Sequence, residues 1–63
     1  MNRVFLTAEE AADALHISRS KVYDLIRNGD LLSIKIGRLR RVPVDAVQDF
    51  ARRLIEAGEE DAA

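Results

Sequence analysis

The stretch Thr7-Ala8-Glu9-Glu10-Ala11-Ala12-Asp13-Ala14-Leu15-His16-Ile17-Ser18-Arg19-Ser20-Lys21-Val22-Tyr23-Asp24-Leu25-Ile26-Arg27-Asn28-Gly29 decides how this chain folds. Thr7 followed three residues later by Glu10 has the form of a capping box. The hydroxyl accepts the N–H of residue 10, and the Glu10 carboxylate accepts the N–H of Thr7. Ala8, Ala11, Ala12 and Leu15 then recur at helical spacing, with Glu9, Glu10 and Asp13 off the stripe. A stripe made mostly of alanine lets a second helix approach closely. Ser18 stands where the next N-cap belongs, Val22, Leu25 and Ile26 form the next apolar stripe, and Gly29 is the stop. A helix of roughly eight residues, a turn of three or four and a helix of roughly ten are the spacing of a helix-turn-helix unit. The second helix leaves Arg19, Ser20, Lys21, Tyr23, Asp24 and Arg27 off its apolar stripe, available to a partner. His16 reads as a turn or packing residue.

Upstream, Phe5 and Leu6 can staple the chain entry to the core. Downstream of Gly29 the period changes. Leu32, Ile34 and Ile36 alternate with Ser33 and Lys35, the pattern of a half-buried strand. Gly37-Arg38 reads as a turn and Leu39 to Val42 as the return strand, which Pro43 should close because it cannot donate to a ladder. Arg38, Arg40 and Arg41 crowd the tip and the return, so the hairpin is a basic wing. Val44, Val47, Phe50, Ala51, Leu54 and Ile55 form a last helical stripe ending near Ala57-Gly58. Asp45 and Asp49 near its start and Arg52 and Arg53 further on suit the helix dipole, and Asp49 can pair with either arginine, which makes those two arginines structural. The expectation is an α+β, mostly helical fold: a winged helix-turn-helix domain over residues 1–58, with a two-stranded hairpin wing and a C-terminal helix. Residues 59–63, acidic and poor in apolar side chains, are expected to be a disordered tail.

The chain has 63 residues and a formal charge of −1, but that average conceals segregation. Residues 1–18 carry a net −2, residues 19–43 a net +5, and residues 44–63 a net −4. A basic centre between acidic ends suggests one positive face for a polyanion, although a solvated charged surface has the same composition. A domain this small buries only about 60% of the surface its unfolded chain exposes, so its core is single and its stability marginal. With no cysteine and one histidine, a disulfide framework and a thiolate metal site are excluded. The single tyrosine, two phenylalanines and scattered carboxylates offer no nucleophile, base and orienting group together, so neither catalysis nor a cofactor is expected. Apolar runs far shorter than a membrane span lead to the expectation of a cytoplasmic protein with no membrane partner.

The chain resembles a known family, the small winged helix-turn-helix domains of phage and plasmid excisionases, related to the DNA-binding domain of MerR-type regulators. The resemblance runs from about Leu6 to Leu54. It rests on Leu6-Thr7-Ala8-Glu9-Glu10-Ala11-Ala12, on Leu15-His16-Ile17-Ser18-Arg19-Ser20-Lys21-Val22-Tyr23-Asp24-Leu25-Ile26, on Gly29-Asp30-Leu31, on Ile34-Lys35-Ile36-Gly37, and on Arg41-Val42-Pro43 before a helix. The family usually has an aromatic residue near the position of Leu39 or Arg40, and this chain does not. MerR-type regulators append a long dimerisation helix and an effector domain, so an effector-sensing role is not expected.

The resemblance implies double-stranded DNA as partner and the second helix as the reader of the major groove. Arg19, Ser20 and Tyr23 are then expected to approach base edges, and Lys21 and Arg27 to contact phosphates. Asp24 is expected to accept from cytosine N4 or to orient Arg27 or Lys21. Arg38 and Arg40 are placed for the adjacent minor groove or its phosphates, supported by Lys35; Arg41 either contacts DNA or bridges strand to helix. The N–H groups beyond Thr7 and Ser18 could hold phosphates, and capping explains both residues equally well. The function implied is that of a bacterial or phage-encoded excisionase: a non-catalytic directionality factor that bends DNA and helps an integrase. A lone module of this kind is expected to be a monomer in solution that binds direct repeats cooperatively. A small transcriptional regulator using the same surface, and a protein-binding module whose acidic last helix meets a partner, are the alternatives.

Overall fold

In the computed structural model, which describes residues 4–62, both expected N-caps are formed. Met1-Asn2-Arg3 and Ala63, at the ends of the expected domain and tail, lie outside the described residues. Thr7 Oγ1 accepts from the Glu10 N–H at 3.0 Å, and the Thr7 N–H donates to Glu10 Oε1 at 2.9 Å. This capping box starts α1, Ala8–Leu15. Ser18 Oγ accepts from the Lys21 N–H at 3.1 Å and starts α2, Arg19–Arg27. Only His16, Ile17 and Ser18 separate the two helices.

Both helices end on the same motif with different residues in the left-handed position. After α1 it is His16, at φ 57°, with the N–H groups of His16 and Ile17 returning to the carbonyls of Asp13 and Ala12. After α2 it is Gly29, at φ 82°, with the N–H groups of Gly29 and Asp30 returning to Ile26 and Leu25. Each is the Schellman pattern of two bonds that satisfy the last carbonyls. Glycine takes this conformation freely, and histidine takes it at a cost.

The chain then forms β2, Ile34–Ile36, and β3, Leu39–Pro43, joined by Gly37-Arg38. Gly37 has φ 62° and Arg38 has no positive φ, the sign pattern of a type II′ hairpin turn. The two-stranded wing forms as expected, and a further strand, β1, Phe5–Leu6, pairs antiparallel with the end of β3 to make a three-stranded sheet in the order β1-β3-β2. Pro43 therefore does not simply close the hairpin. It lies within β3 opposite Phe5, beyond the reach of β2, and the following Val44 N–H bonds to the Val4 carbonyl at 3.0 Å.

The core consists of Ala11, Ala12, Val22, Leu25, Leu31, Val42 and Val47, edged by Leu6, Ala8, Leu15, Ile17, Ile26, Ala46 and Phe50. Leu31, 1% exposed, takes the place expected of Leu32, which is exposed. The Leu25 carbonyl accepts from both Asp30 and Leu31, and this bond turns the Leu31 side chain inward before the strand begins. Ile34 is half-buried, whereas Ile36, next to the hairpin tip, projects past the core and is exposed.

The last helix, α3, is Val44–Ala62. Its first turns pack through Val47 and Phe50, but Leu54 and Ile55 are 56% and 61% exposed. The expected stripe thus outruns its support, because α1 and α2 are only eight and nine residues long. The helical backbone also continues through residues 59–62, where the sequence reading places a disordered tail. Gly58 does not adopt the left-handed conformation that ends α2, and a glycine in helical conformation weakens a helix by about 1 kcal/mol without stopping it.

The two left-handed positions make opposite predictions. Gly29→Ala meets no atom within 4 Å, so its effect is conformational alone and should cost about 1 kcal/mol. His16→Gly should stabilise by up to about 1 kcal/mol. In a domain of this size each kcal/mol moves Tm by about 4–8 °C. Thermal melts in which the two variants shift in the same direction would contradict the shared motif.

Candidate nucleic-acid interface

Because the apolar stripe of α2 is consumed by Val22 and Leu25, its remaining faces are presented to solvent. Arg19, Ser20, Lys21, Tyr23, Asp24 and Arg27 are all exposed. Both arginines of this set are already paired. Arg19 Nη1 donates to Glu9 Oε1 of α1 at 2.8 Å. Arg27 Nη2 pairs with Asp24 Oδ1 one turn back. This pair joins two residues expected to act together, with the Asp24 carboxylate holding the Arg27 guanidinium along α2. Thr7 Oγ1 and Ser18 Oγ are both engaged as caps, which leaves only backbone N–H groups at those helix starts for an anion.

On the wing, Lys35, Arg38 and Arg40 are exposed and Arg41 is half-buried. The two-residue turn fixes the register: Ile36 faces Leu39, Lys35 faces Arg40 and Ile34 faces Arg41. Like charges directly opposite each other on adjacent strands are destabilising. Arg40 leans away from this conflict and donates to Ser33 Oγ at 2.7 Å. Arg41 Nη1 donates to the neighbouring Arg40 carbonyl at 2.9 Å, a bond within its own strand. Arg52 and Arg53 serve the fold, with Arg52 paired to Asp49 at 3.3 Å and Arg53 donating to the Asp30 carbonyl at 3.0 Å.

The sheet carries the wing up to α2. A cleft of about 330 Å³ opens between them, lined by Thr7 and Glu9 at the start of α1, Tyr23 of α2, and Arg38, Arg40 and Arg41 of the wing. The structure thus brings Thr7, Tyr23 and three wing arginines to one cleft; Arg19, Ser20, Lys21, Asp24, Arg27, Lys35 and Ser18 do not line it. Glu9, off the apolar stripe of α1, stands at this cleft and on Arg19. No local spacing reveals it, because the pair is made between helices.

A helix-turn-helix domain family matches residues 5–59. The chain is 54% identical over 54 residues to a Saccharopolyspora erythraea protein described as "Probable excisionase", a match covering 86% of this chain and 55% of that protein. It is 60% identical over 45 residues to an excisionase of Streptomyces ambofaciens, covering 71% of this chain and 73% of that one. This chain belongs to the excisionase family of helix-turn-helix proteins. A Mycobacterium tuberculosis protein named for DNA binding is 41% identical over 45 residues, covering 71% of this chain and 58% of its own length. The chain therefore spans little more than half of the first and third of these relatives. No solved structure matches at the same level of significance.

The Lys35 and Arg40 pair sets stability against a polyanion. Lys35→Glu should place opposite charges across the strands and raise stability by a few tenths to about 1 kcal/mol. The same variant should bind duplex DNA more weakly and with a shallower salt dependence, by about 0.9 or more in slope if one phosphate contact is lost. Denaturant melts and salt titrations on one preparation would check both; loss of stability together with unchanged binding would refute the assignment.

Proposed function

We propose that this chain is a non-catalytic excisionase that binds double-stranded DNA in the bacterial cytoplasm, bends it, and assists an integrase in excising an integrated element. In this reading the first half of α2 enters the major groove. Arg19, Ser20 and Tyr23 meet base edges while Lys21 and Arg27 lie toward phosphates. The β2–β3 wing reaches the adjacent minor groove with Arg38 and Arg40, with Lys35 and Arg41 at its phosphates. The backbone N–H groups at the starts of α1 and α2, beyond Thr7 and Ser18, face the anionic backbone between these contacts.

The observation that carries the reading is the positive charge of the wing, which among the described residues is paired with no carboxylate. Lys35 and Arg40 oppose each other in register, and Arg38 stands at the tip between them. Such a conflict weakens the free protein and is relieved by phosphates, so a site that breaks a local rule is accounted for by its partner. A module reading so few base pairs binds weakly alone, and a monomer that binds direct repeats side by side overcomes this by effective concentration. No helix among the described residues is long and apolar enough to cross a membrane. A transcriptional regulator using the same face is the second reading, and the relative named only for DNA binding is compatible with either.

Selection from a random duplex pool, followed by titration of the winning site and a scrambled duplex at two salt concentrations, tests the proposal. Direct repeats bound cooperatively, with affinity falling steeply as salt rises, are expected. An excision assay with the cognate integrase then separates the two readings: stimulation of excision supports the first, and promoter repression without stimulation supports the second. Simultaneous Arg19→Glu and Lys21→Glu should reduce affinity by about 100-fold or more, since each reversal replaces attraction by repulsion at a phosphate-rich surface. Unchanged binding would point to a protein partner instead.

A further inference from the structure

We propose that Glu9 is a specificity-determining residue that acts by positioning Arg19. This rests on the DNA-binding reading and adds to it a residue that touches no base.

Glu9 is placed by the capping box without belonging to it, since Glu10 supplies the reciprocal carboxylate. From the first turn of α1 its Oε1 holds Arg19 Nη1 at 2.8 Å, across the helix-turn-helix and ten residues away in sequence. Both side chains are mostly exposed, so in the free protein the bond is weak. Its importance lies in where it sits. Among the described residues, Glu9 is the single acidic side chain lining the cleft shared by Tyr23, Arg38, Arg40 and Arg41. A duplex laid on this face excludes water and brings phosphates near a carboxylate. If Arg19 leaves, that carboxylate loses its bonded partner while the wing arginines around it are drawn to the same phosphates.

Arg19 is therefore discouraged from swinging to a phosphate, which any sequence offers. The guanidinium has five donors, and one bond to Glu9 leaves the rest of the fork free for a guanine edge. Glu9 thus penalises sequence-indifferent binding and holds Arg19 for a base. Asp24 and Arg27 repeat the pairing one turn on but within a single helix, so they do not tie α2 to α1.

The test is a cycle of Glu9→Gln, Arg19→Ala and the double variant, each titrated against the selected site and a scrambled duplex over a range of salt. Glu9→Gln should raise affinity for the scrambled duplex about three- to fivefold, the scale of one exposed ion pair. Its salt slope should steepen by about 0.9 as freed Arg19 takes a phosphate. Affinity for the selected site should rise less or fall, so the ratio between the two duplexes drops. In the Arg19→Ala background the same substitution should leave the ratio unchanged, because simple repulsion acts on both duplexes alike. A ratio unaffected by Glu9→Gln, or affected equally without Arg19, overturns the proposal while the DNA-binding reading stands. Wild-type protein that binds neither duplex overturns both.

Discussion

A turn of three residues gives α1 and α2 no room to diverge, and the close contact this forces at Ala11, Ala12 and Val22 supports the rest of the molecule. Ala11 and Val22 are both completely buried. A larger residue at position 11 would push α2 outward and carry Leu25 and Leu31 with it. Those two define where the chain enters the sheet, because the Leu25 carbonyl holds the N–H groups of residues 30 and 31. The wing's position relative to α2 thus descends from the spacing of two short helices.

This arrangement also explains why a protein with near-neutral overall charge has a strongly basic face. The middle third folds so that α2 and the β2–β3 hairpin flank one cleft, while the acidic residues of α3 belong to a helix that packs through Val47 and Phe50 and then outruns the core. Segregation along the sequence becomes segregation in space. Within the basic face, two arginines are held by carboxylates, whereas among the described residues the four wing cations are held by none, so the surface contains both restrained and unrestrained charges. Restrained arginines on a helix suit a partner read by position, and unrestrained ones on a hairpin suit a partner held by charge.

Much of this is visible in the residues themselves. The capping box at Thr7 and Glu10, the cap at Ser18, the stop at Gly29 and the hairpin at Gly37-Arg38 each depend on bonds between residues a few positions apart, and all four form. Even the opposition of Lys35 and Arg40 follows from counting outward from a two-residue turn, a signal present in the sequence. His16 is different, because histidine is only modestly favoured in a left-handed backbone and no glycine marks the position; the three-residue turn imposes it.

What the sequence determined on its own is therefore the local grammar: which segments are helical, where they start, where the hairpin turns, and which side chains of α2 remain for a partner. These are set by bonds and periodicities within about one helical turn or one hairpin. The tertiary structure decided matters that depend on distance between elements. It recruited Phe5 and Leu6 as a strand too short to show a period, and it buried Leu31 in place of Leu32. It left Leu54 and Ile55 without cover because the helices beneath them are short, and it carried α3 through Gly58. It also set Glu9 against Arg19, a contact that exists only because two helices ten residues out of step are forced side by side.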